Sequence, residues 1–193
     1  MSLFAKPDVV LPGAAALPQY AADDYVAPAL AISSGGLSIP GANRLYALPF
    51  IVSEATTVDG IVFGNGTSVN GHKFVGGIWS PDGRKPGAKL VQTSELTVGD
   101  TNTNTFREMS ITEQTLLPNQ TYFAGLVGNS SSQLFGITGL AYGLPAEQSY
   151  LFAGGGVSGI WRDDFTYNAT LPDPFVTSIS GWVESIFVWL RKV

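Results

Sequence analysis

Between Val75 and Val127 the chain consists of short apolar runs separated by tight-turn residues, and this grammar restricts the fold more than any other feature. A run ending in Ile78 and Trp79 meets Pro81-Asp82-Gly83. Pro86-Gly87 then opens the next run, and Leu117-Pro118-Asn119-Gln120 precedes the β-prone Thr121 to Val127. Proline presets φ for the first corner of a turn, and glycine tolerates the positive φ of the second. With 23 glycines and 12 prolines spread through the chain, long helices are ruled out and short strands are expected.

From Leu45 onward the apolar residues recur with a period of two. Strands are predicted over 45–52, 58–63, 74–79, 89–98, 105–112, 121–127, 133–138, 150–153 and 183–191. Met109 and Ile111 share one face while Glu108 and Ser110 share the other, as in a half-buried strand. In the last run Ile186, Val188 and Leu190 alternate with Ser185, Phe187, Trp189 and Arg191, so both faces are partly apolar and both call for cover. The glycine- and asparagine-rich residues 64–71 read as a loop. Eight to ten short antiparallel strands predict an all-β chain, an antiparallel β-sandwich of jelly-roll type over residues 45–193.

Residues 1–44 read differently. Pro7, Pro12, Pro18, Pro28 and Pro40 recur too closely for a long helix and are poorly tolerated in central strands. This segment is expected to form an extended anchoring arm, able to reach roughly 145 Å if fully stretched. Pro7, Pro12, Pro18 and Pro28, together with Phe187 and Trp189 on the outer face of the last strand, are the candidate assembly residues.

The order Tyr46-Ala47-Leu48-Pro49-Phe50, Thr56-Thr57-Val58-Asp59-Gly60-Ile61, Gly77-Ile78-Trp79-Ser80-Pro81-Asp82-Gly83 with Pro86-Gly87, and Leu117-Pro118 with Thr121-Tyr122-Phe123-Ala124 resembles a β-sandwich module of tailed-bacteriophage virion surface proteins. A weaker echo follows at Leu171-Pro172-Asp173-Pro174-Phe175. The resemblance implies a non-enzymatic structural protein on the virion surface, of tail-fibre, tail-tip or capsid-decoration type. It would be held to other virion proteins by residues 1–44. A homo-oligomer is expected, a trimer by preference, because edge strands and apolar outer faces need covering.

Charge and chemistry point the same way. Only 13% of residues are charged while 45% are hydrophobic, which suits a sandwich covered by other protein. A net charge of −5 offers no basic stripe for a nucleic acid. The absence of cysteine excludes disulfides and thiolate metal sites. No signal-peptide pattern opens the sequence, no apolar run reaches the length of a membrane span, and no cofactor is implied. The sequons at Asn65, Asn119, Asn129 and Asn168 read as Ser/Thr-rich loops.

His72, the single histidine, reads as a solvated loop residue, and no Gly-x-Ser-x-Gly elbow accompanies it. Two carboxylates suffice for a glycosidase, and Asp163, Asp164, Glu108 and Glu113 are the candidates. Neighbours on a strand face opposite ways, which disfavours the Asp163 and Asp164 pair. Asp100-Thr101-Asn102-Thr103-Asn104-Thr105 offers oxygens to a cation but only one carboxylate. The segment 159–168 permits an alternative function, a carbohydrate-binding host-adhesion module. Trp161 would be the platform for a sugar ring, and Asp163, Tyr167 and Asn168 would supply hydrogen bonds to a host-surface glycan. The same aromatic residues would equally serve as an end cap of the sandwich or a subunit contact.

Overall fold

A computed structural model of the chain describes residues 25–26, 35–38, 42–67, 69–83, 85–99, 105–130, 133–138, 159–162, 165–175, 179–182, 184–186 and 188–193. These residues form strands, turns and irregular segments, and no helix. The strands are β1 (Tyr25–Val26), β2 (Gly35–Ser38), β3 (Leu45–Ile51), β4 (Thr56–Thr67), β5 (Lys73–Asp82), β6 (Lys85–Gln92) and β7 (Leu96–Thr97). They continue with β8 (Thr105–Leu116), β9 (Thr121–Gly128), β10 (Gln133–Thr138), β11 (Gly159–Arg162), β12 (Ile179–Trp182), β13 (Glu184–Ile186) and β14 (Val188–Lys192).

All pairings are antiparallel and build two seven-stranded sheets. The first is ordered β1-β14-β4-β10-β13, with β2 on β10 and β8 on β4. The second is ordered β12-β11-β3-β9-β5-β6, with β7 on β5. The chain passes between sheets at six of the eight connections from β3 to β11, so the two sheets share one core. Leu48, Phe50, Phe74, Ile78, Tyr122 and Leu126 of the second sheet meet Ile61, Phe63, Met109, Leu134, Val188 and Leu190 of the first. Two sheets packed face to face on alternate residues are the arrangement of a β-sandwich.

The turn grammar acts where the sequence places it. Asp82 pairs with Lys85 across a two-residue loop in which Gly83 has φ +60°. Asn119, in the turn before β9, has φ 59°. Other expectations need correction. β4 runs on through Gly64 and Asn65, which the composition marks as loop. Gly64 pairs with Phe106, and Asn65 pairs with both Thr105 and Leu134, so pairing along two edges overrides local turn preference. The predicted strand 89–98 breaks after Gln92. Buried Thr93 turns the chain there by accepting the Gly76 N–H on its hydroxyl at 3.0 Å and donating its own N–H to Gly76 O at 2.9 Å. The run 183–191 divides into β13 on β10 and β14 on β4. His72 is buried rather than solvated, at 8% exposure.

β1 pairs with β14 and β2 with β10, so parts of the expected arm are edge strands of the first sheet. The predicted strand 150–153 lies outside the described residues. Among the described residues β8 pairs with β4 alone, and it is irregular because its residues 111–113 are passed over in the register opposite Asp59 of β4. Such a bulge blunts a long edge against unwanted pairing.

Candidate functional site

Strand alternation gives the second sheet an outer face of Leu45, Ala47, Val75, Trp79, Phe123 and Val127. Left bare, this face would expose a broad apolar surface. Residues 165–175 cross it as a strap and bury Phe165, Leu171 and Phe175 against it, forming a second core. Trp79 is fully buried, with its ring edge-on to Phe175 at 5.1 Å and its Nε1–H donating to Pro172 O at 3.1 Å. Gly76 and Gly77 thin β5 at the crossing. A β-carbon at Gly77 would lie 2.6 Å from Leu171 Cδ1 on the outer side, and one at Gly76 would lie 3.0 Å from Met109 Cε on the inner side.

Pro172 and Pro174 lack an N–H, so the strap cannot pair as an ordinary strand, and side chains supply its hydrogen bonds instead. The Gln92 amide imitates a peptide, with Nε2 donating to Ala169 O at 3.1 Å and Oε1 accepting Leu171 N–H at 3.1 Å. Lys89 Nζ donates to Leu171 O at 2.8 Å, and Lys89 N–H donates to Asp173 Oδ1 at 2.9 Å. Phe175 N–H reaches Gly87 O at 2.9 Å, which closes the far end of the strap on β6.

At the leading end, Tyr167 N–H donates to Asn43 Oδ1 at 3.1 Å, and its hydroxyl donates to Glu95 Oε2 at 2.9 Å. Lys73 Nζ holds the other oxygen of Glu95 at 2.7 Å. The Lys73 hydrogen bond, seconded by that of Tyr167, holds the Glu95 carboxyl below its ordinary value. Burial, seconded by Glu95, pushes the Tyr167 phenol far above its ordinary value, so its proton stays in place. This end of the strap is therefore a fixed chain of donors and acceptors.

The residues singled out for glycan contact are distributed unevenly. Trp161 lies on β11 in register with Tyr46 of β3. Asp163 falls outside the described residues. Tyr167 and Asn168 both sit on the strap, where Asn168 Oδ1 accepts Thr170 N–H at 2.7 Å in an Asx turn. Of the assembly candidates, Pro7, Pro12, Pro18, Pro28 and Phe187 fall outside the described residues. Trp189 is half-buried on the outer face of the first sheet, opposite Val62 and edge-on to Phe106 at 5.6 Å.

Beside Trp189 on β14, Arg191 binds Asp59 through two hydrogen bonds of 2.6 and 2.8 Å and also meets Glu108. Asp59 is the bulge residue of β4, skipped in both ladders. The Arg191 hydrogen bond holds its carboxyl below the ordinary value. Gln92, Lys89 and Glu95 were not marked by the sequence, because the strap residues they hold are 72 to 84 positions away. Among the described residues, no cluster of three or more His, Cys, Asp or Glu side chains could hold a metal ion. Compared with protein-family models, curated proteins and solved structures, the chain matches none.

Proposed function

We propose that this chain is a non-enzymatic structural protein of a tailed-bacteriophage particle, with a jelly-roll type sandwich displayed on the virion surface. The observation that carries the reading is where the phage-like motifs fall. Tyr46 to Phe50 lie on β3, Thr56 to Ile61 on β4, Gly77 to Gly83 on β5 and its turn, and Thr121 to Ala124 on β9. The resemblance therefore runs through the framework of both sheets rather than through one peripheral loop.

The N-terminal segment supplies the anchor, and other virion proteins are its partners. β1 and β2 tie that segment to the edges of the first sheet, so a pull on the anchor is transmitted to the sandwich. Self-association, as a trimer by preference, covers the outer face around Trp189. The glycan reading draws less support, since the Tyr167 hydroxyl is engaged by Glu95 and Asn168 Oδ1 by Thr170 N–H.

Deletion of residues 1–24 tests the proposal because it removes the anchor and spares β1 and β2. The expected product folds with the parent's circular dichroism spectrum but is lost from particles assembled in its presence. Unimpaired incorporation of the truncated chain would refute the anchoring role.

A further inference from the structure

His72 is the chain's single histidine, and the chain has no cysteine. It is therefore the one side chain whose ordinary titration range lies close to neutrality. It closes the β4–β5 connection and is tied at both backbone atoms. Its N–H donates to Val69 O at 3.1 Å, and its carbonyl accepts Val98 N–H at 2.8 Å. Gly71 N–H donates to Val98 O at 2.8 Å, completing the clasp. The imidazole lies edge-on to Phe74 at 6.4 Å, and its Nδ1 is buried with no hydrogen-bond partner among the described residues.

The charged groups on the surrounding elements do not favour an imidazolium. Lys73 on β5 is a cation. Arg107 on β8 is another, in register with Phe63, whose ring lies tilted against Phe74 at 4.8 Å. Glu95, ahead of β7, is already bound by Lys73 and Tyr167. Lys73, next to His72, is also the first link of the chain that fastens the leading end of the strap.

We propose that His72 is an acid-sensitive latch. Its protonation ejects the imidazole, opens the clasp between residues 69–72 and Val98, and releases the leading end of the strap through Lys73, Glu95 and Tyr167. Burial alone lowers the His72 pKa from its ordinary 6.5, so the closed form is held neutral and opening takes up a proton. The latch is at full strength above pH 6.5. It weakens progressively below that, by at most about tenfold per pH unit, until the folded-state value is reached. Glu95 and Tyr167 titrate on either side of this window, one displaced down and the other up.

Amide hydrogen exchange on the full chain, corrected for intrinsic rates, tests the latch between pH 7.5 and 5.5. The His72, Val98 and Tyr167 amides are expected to lose protection progressively between pH 6.5 and 5.5, by at most about fivefold. The Phe175 amide at the far end of the strap is expected to hold. His72→Phe keeps an aromatic ring in the site and removes the pH dependence, and His72→Gln serves the same purpose should the phenylalanine variant fail to fold. Protection that is flat with pH in the parent would overturn the proposal, as would a loss that persists in the variants. So would a histidine resonance titrating at or above 6.5.

Discussion

Truncation of Trp79 tests whether the strap is a packed layer of the protein or a loosely laid cover. The ring is fully buried, touches Phe175 edge-on at 5.1 Å and donates to Pro172 O at 3.1 Å. Replacing a buried tryptophan with alanine costs about 3–5 kcal/mol through lost transfer energy and the cavity left behind. The lost edge-to-face contact accounts for about 1 kcal/mol of that. Trp79→Phe keeps an apolar ring and loses the hydrogen bond and part of the volume, for about 1–2 kcal/mol. At a urea m-value of about 2 kcal/mol/M, the alanine variant should unfold about 2 M earlier and the phenylalanine variant less than about 1 M earlier. Equilibrium urea unfolding followed by far-ultraviolet circular dichroism measures both. A loss below about 1 kcal/mol for Trp79→Ala would refute the packed-strap reasoning.

Two further expectations follow from close contacts and paired charges. Gly125→Ala should cost about 1–3 kcal/mol or prevent folding, because its β-carbon would collide with the Tyr46 carbonyl oxygen and stand 3.1 Å from Ala47 Cα. A melting temperature equal to the parent's would show that β3 and β9 can separate to admit a methyl group. Asp59 has a folded-state pKa below its ordinary 3.8, so its contribution is present above that value and is lost as pH falls through the folded value. Asp59→Asn should therefore show a shallower fall in urea midpoint from pH 4 to pH 2 than the parent. Parallel profiles would remove the Asp59–Arg191 pair from the account.

The antiparallel β character of this chain and several of its turns were legible from its residues alone. Both properties are local: period two sets which side chains share a face, and proline, glycine and asparagine set where φ allows reversal. Pro81 to Gly83 and Leu117 to Gln120 needed no distant partner to be legible. The tertiary structure alone decided what depends on residues far apart in the chain. Gly64 and Asn65 became strand because two neighbours pair with β4 there, and His72 became buried just ahead of β5. The pairing of β1 with β14 and of β2 with β10 was not legible either, since proline spacing reveals where strands are interrupted and not which edges accept the pieces between. The strap was least legible of all. Its prolines mark it as loop, while its anchors at Trp79, Lys89, Gln92 and Glu95 come from β5, β6 and the link to β7. Only the fold brings those side chains under residues 165–175, because hydrogen bonds and apolar contacts are satisfied by proximity in space, which alternation along one strand does not encode.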